Sequence, residues 1–107
     1  MVVFHKDKVD TFTCKVNVQG STIDKCVPRI VLSFNNGITM MFEGIINNFS
    51  IAEIKIPEIP APDLMRGCVR LEIIVEKALL TPWQDEFVLK NALSVGIENI
   101  KIAGSRC

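Results

Sequence analysis

Residues 67–76 read GCVRLEIIVE, with Val69, Leu71, Ile73 and Val75 on one side and Arg70, Glu72 and Glu76 on the other. A period of two means an extended chain, because successive side chains of a strand point to opposite faces. The same signature recurs twice. Phe12, Cys14, Val16 and Val18 oppose Thr11, Thr13, Lys15, Asn17 and Gln19. Ala52, Ile54 and Ile56 oppose Glu53, Lys55 and Glu58. No segment combines a cap, a 3.6-residue apolar stripe and a run of about ten residues free of β-branched clusters, so no helix of useful length is expected. The chain must therefore bury its apolar faces sheet against sheet. Ile74 breaks the outer, charged face of its strand, which marks either a central strand or a contact site.

Turn chemistry divides these runs. Gly20-Ser21 ends the first. Asn35-Asn36-Gly37 lies between the apolar runs 30–34 and 38–42 and predicts a hairpin, with a type I′ turn at Asn-Gly because both residues tolerate positive φ. Pro28 cannot donate to a ladder, so the early part of its strand is expected at an edge or a bulge. Gly44 ends the return strand over 38–43. Pro57, Pro60 and Pro62 predict an extended crossover, with a proline-rich recognition motif as the alternative. Thr81-Pro82-Trp83 reads as a corner, followed by a last core strand with Phe87 and Leu89 inward. Six or seven short strands at this spacing predict one all-β domain, an antiparallel, immunoglobulin-like β-sandwich, with a small β-barrel as the alternative. Residues 1–10 are expected as an N-terminal arm, 11–92 as the sandwich core and 93–107 as a C-terminal arm or extra strand.

The length of 107 residues fits one domain with one real core. Twelve Lys and Arg balance twelve Asp and Glu, and the basic residues are scattered, which disfavours a nucleic-acid binder. No run nears the roughly 20 apolar residues of a membrane-spanning helix. The start, MVVFHKDKVD, turns charged too soon for a signal peptide, so a cytoplasmic setting is expected. The four cysteines form no C-x-x-C pair and His5 is the one histidine, which disfavours zinc and predicts free thiols. No G-x-S-x-G, P-loop or G-x-G-x-x-G occurs. Asp85 and Glu86 are neighbours on a strand, so they point apart and make no acid–base pair. The expectation is a protein with no catalytic residues, no metal and no cofactor.

Trp83 is read as a plug closing one end of the sandwich, its N–H bonded to a turn carbonyl; an aromatic platform for a ligand is the alternative. A hydrophobic content of 49% is on the high side of average for a soluble domain and points to some apolar side chains facing a partner. The interface candidates are Val2, Val3 and Phe4 at one end, Ile97, Ile100 and Ile102 at the other, and Ile74 between. The alternative for the two ends is that they form extra strands of the chain's own core.

The stretch IPEIPAPDLMRGCVRLEIIVEKALLTPWQDEFVL resembles the C-terminal half of small structural proteins of T4-like tailed bacteriophages. The matching positions are Pro60, Leu71, Glu72, Ile73, Thr81, Pro82, Trp83, Glu86 and Phe87. They cover about a third of the chain, and residues 1–50 add a compatible strand pattern. The resemblance implies a capsid-associated or decoration protein without enzymatic activity. Its partners would be other virion proteins or copies of itself, in an oligomeric assembly with no nucleic acid or membrane contact of its own. It would sit in the virion after assembly in the host cytoplasm. A free-standing β-sandwich that binds a glycan or a host protein is the competing expectation.

Overall fold

The structure, a computed structural model, describes residues 1–96 and 98. Eight strands and one 3₁₀ turn make up the fold: β1 (Val2–His5), β2 (Asp10–Lys15), the turn Ile23–Lys25, β3 (Cys26–Phe34), β4 (Thr39–Glu43), β5 (Ile45–Ile46), β6 (Ile51–Ile56), β7 (Arg66–Val75) and β8 (Ala78–Lys90). They form a five-stranded sheet ordered β1-β8-β7-β3-β4 and a three-stranded sheet ordered β2-β6-β5. The architecture is the expected all-β sandwich. The core lies between the sheets: Ile30, Leu32, Val69, Leu71 and Phe87 from the larger meet Ala52, Ile54 and Ile56 from the smaller. These are the alternate positions that the period of two set aside, and each is buried. Phe34 and Phe4 both pack edge-on against Phe87, at ring-centroid distances of 5.3 and 5.8 Å.

The hairpin between β3 and β4 forms where Asn35-Asn36-Gly37 predicts it, but not with the predicted turn. Neither asparagine has positive φ; Gly37 alone does, at 91°. The Gly37 amide donates to the Phe34 carbonyl, and the Phe34 amide to the Ile38 carbonyl. This is a three-residue loop, a turn of ordinary hand closed by a left-handed glycine, rather than the two-residue I′ turn. Asn36 Oδ1 accepts from the Ile38 amide at 3.1 Å, which gives the second asparagine its own use. Pro28 sits where β3 outruns β4, since β4 pairs only with Arg29 to Ser33. Proline there need not break the ladder on that side.

Three further expectations are corrected. Residues 2–5, expected in an arm, form β1, which pairs in parallel with β8 (Val2 with Phe87, Phe4 with Leu89) and makes the larger sheet mixed rather than purely antiparallel. Burial of Phe4 against Phe87 holds it there. Next, Thr81-Pro82-Trp83 is no corner, because β8 runs unbroken from Ala78 to Lys90. The register puts Leu71 opposite Trp83 and Ile73 opposite Leu80, so Glu72 faces both Thr81 and Pro82. Proline is accommodated at this β-bulge, on a stretch of β8 that β1 does not reach. The chain instead reverses at Glu76-Lys77, between the paired Val75 and Ala78. Lastly, Trp83 is not a fully buried plug; it lies half-buried on the inner side of β8.

Gly67 is required for packing. A Cβ at this position would overlap the Ser33 carbonyl oxygen and approach the Phe87 ring to 2.9 Å. Strands β3 and β7 meet there with no room for a side chain.

Candidate functional site

The outer face of the larger sheet carries the first candidate. Val27, Ile74 and Leu79 lie in one row across β3, β7 and β8, because the register pairs Ile74 with both of the others. Val27 and Leu79 are exposed, and Ile74 is half-buried between them. The apolar break that Ile74 makes in its strand thus belongs to a three-strand apolar row facing solvent. Singly such residues are ordinary on a protein surface; here three stand side by side on adjacent strands.

The next position on β3 and β7 is charged. Glu72 is 4% exposed although it points away from the core. Its carboxylate accepts from Arg29 Nε at 2.6 Å and from Arg70 Nε at 2.8 Å. Arg70 also donates to Ser33 Oγ at 3.3 Å. The Arg70 hydrogen bond comes first in holding the Glu72 carboxyl below the ordinary range, and Arg29 adds to it against the opposing effect of burial. Two guanidiniums and one carboxylate lock β3 to β7 beside the apolar row.

The second candidate is the open side of the sandwich. Phe12 from β2 and Trp83 from β8 stack in a tilted arrangement, centroids 5.4 Å apart. Beside them lies a cleft of about 460 Å³ lined by Phe12, Cys14, Val16, Leu71, Pro82 and Trp83, with Lys15 and Asn17 as its polar members. That volume lies in the range of small-ligand pockets, and the lining is mainly apolar. Burial raises the pKa of the Cys14 thiol, which lowers its thiolate fraction at neutral pH.

Of the residues singled out from sequence, Ile74 lies on the outer face, and Val2 and Phe4 turn inward onto the core. Val3 is exposed on the opposite side of β1. Phe4 is buried, and Val2 is half-buried against the core. Ile97, Ile100 and Ile102 lie outside the described residues. The sequence reading missed Val27 and Leu79 because their runs show no alternation. It missed the cleft because Pro82 was taken for a corner; proline inside a strand-like run was the available signal for a bulged edge.

Several other polar groups have structural partners. His5 Nδ1 lies 3.1 Å from Asp10 Oδ1, and the His5 amide donates to the other Asp10 oxygen at 2.6 Å. Cys14, Cys26 and Cys68 are free thiols, and Cys26 Sγ donates to the Thr22 carbonyl at 3.3 Å. Among the described residues, no three His, Cys, Asp or Glu side chains group as metal ligands. Among them, too, no helix is long and apolar enough to cross a membrane.

Comparison with known proteins adds no relative: no protein family, no curated protein and no solved structure matches the chain.

Proposed function

We propose that this chain is a non-enzymatic structural subunit of a tailed-phage particle, capsid-associated or decorating, that binds other virion proteins or its own copies. The observation that carries this reading is the exposed apolar row of Val27, Ile74 and Leu79 on a sheet face stiffened by the Arg29–Glu72–Arg70 cluster. A rigid sheet with an apolar contact row suits permanent attachment, since the buried centre of an interface is apolar and its rim polar. The resemblance of residues 56–89 to phage structural proteins supports the particle as the setting, reached by assembly in the host cytoplasm. Mass spectrometry of purified particles tests this: the chain is expected at stoichiometric amounts. An Ile74→Lys, Leu79→Lys double variant is expected to fold and to be missing from particles. Particles that lack the native chain would overturn the reading.

The half-exposed Trp83 beside the apolar cleft favours a second reading, a free-standing module for a glycan or a host protein. It requires Trp83 fluorescence to shift with ligand. A flat response across a glycan panel and host extracts would dispose of it.

A further inference from the structure

Among the described residues, no strand closes one side of the sandwich. In the smaller sheet β2 is an edge, paired only with β6. In the larger sheet β1 covers β8 only from Phe87 to Lys90, so the rest of β8 has β7 on one side and, among the described residues, no strand on the other. Both open edges flank the cleft lined by Phe12, Cys14, Leu71 and Trp83. An edge strand presents unpaired N–H and C=O groups, and an extended segment that adds to it satisfies them while its alternate side chains enter the adjoining groove. The two edges are not equivalent. The free part of β8 holds Pro82 and the bulge opposite Glu72, both of which interrupt a ladder. The six residues of β2 hold neither.

A strand donor leaves the other end of the same molecule. Asp7, in the link between β1 and β2, accepts from the amides of Ala92 and Leu93 at 2.7 and 3.0 Å. The chain is thereby fastened just after β8. Beyond that anchor Leu93 is 83% and Val95 is 91% exposed. The sequence then continues with Ile97, Ile100 and Ile102, and 93–107 is longer than the six residues of β2 require.

We infer that the open side of each sandwich takes the C-terminal segment, from Leu93 onward, of a second copy, laid along the free edge of β2 with apolar side chains over Phe12 and Trp83. The inference rests on the subunit reading above and names the partner and the groove. A second copy is favoured over the chain's own tail by the anchor. Asp7 holds the segment three residues before β2 begins, yet Leu93 and Val95 stand in solvent instead of covering their own β2.

The test uses the full chain. Sedimentation of the native protein should show self-association. An Ile97→Asp, Ile100→Asp, Ile102→Asp variant should keep the β circular dichroism spectrum and associate at least about tenfold more weakly, as expected when anchoring side chains are removed. Cross-linking identifies the groove. Cys68 and Cys107 are changed to Ser, and a cysteine is placed at 97, 100 or 102 in turn. Isotopically heavy and light copies are then mixed and oxidised. Disulfides from Cys14 to the new cysteine that join heavy to light chains support the inference. Links confined to one isotope mean that each tail fills its own cleft, and overturn it. Association that survives the triple Asp variant but is lost in Ile74→Lys, Leu79→Lys also overturns it, while leaving the subunit reading standing. A native chain that stays monomeric overturns it too, and particle composition then judges the subunit reading separately.

Discussion

Arg29 of β3 reaches across the sheet to Glu72 of β7, Nε to carboxylate oxygen at 2.6 Å, and Arg70 holds the other oxygen at 2.8 Å. Removing the anion leaves two neighbouring cations on the outer face of the sheet without their shared partner. Glu72→Ala should therefore lower stability by about 2 kcal/mol, in the range for hydrogen bonds to charged groups. Urea unfolding measures it. The same carboxyl titrates below its ordinary value of 4.5. A depressed folded-state pKa contributes stability that is full above the unfolded value and is lost as pH falls through the folded one. The native chain should therefore lose stability below pH 4.5 more steeply than Glu72→Gln, and equal slopes would remove this role.

Gly67→Ala should be among the most damaging small changes in the chain. Its methyl group meets the Ser33 carbonyl oxygen and the Phe87 ring, with backbone on one side and a buried aromatic on the other. Overpacking of this kind costs about 3 kcal/mol. Thermal unfolding would read this as a large fall in Tm, and a change within error would mean that β3 and β7 can separate there.

Leu64 points the opposite way. It is exposed, with φ of 59°, in the link that leads into β7. The left-handed conformation costs a branched residue about 1–2 kcal/mol, part of which glycine returns as chain entropy. Leu64→Gly should raise stability by about 1 kcal/mol, a Tm increase of about 5 °C for a domain of this size.

Asp7→Ala should release the segment after β8 without unfolding the sandwich. The amides of Ala92 and Leu93 should exchange faster while core amides keep their protection. Those two hydrogen bonds, Ala92 first, hold the Asp7 carboxyl below its ordinary value of 3.8. The clamp is therefore complete above that pH and loosens only as pH falls through the lowered value. Exchange at Ala92 and Leu93 measured down to pH 3 checks the order of events.

Alternation at Val69, Leu71, Ile73 and Val75, and at Phe12 and Cys14, was enough to assign strands and inward faces, because period two is a local property. What local pattern does not carry is pairing. β1 looked like a loose end because its partner lies more than eighty residues away, and only the Phe87 ring explains why Phe4 is drawn in. Pro82 and Trp83 read as a corner because proline ends most strands, whereas a bulge opposite Glu72 absorbs it. The row of Val27, Ile74 and Leu79 was one-third legible. Ile74 stood out between charged neighbours, but its companions became visible only when the register set three strands side by side.

The parallel pair of β1 and β8 also fixes an order of events in synthesis. Val2 to His5 leave the ribosome some eighty-five residues ahead of their partners, Phe87 to Lys90. At about 5–20 residues per second, the first strand waits on the order of ten seconds for its place. During that interval Phe4 has no Phe87 to cover it. The growing chain therefore carries an uncovered aromatic side chain for the whole interval between its two partner strands, and a chaperone that shields residues 2–5 over that interval is expected to raise the yield of folded protein.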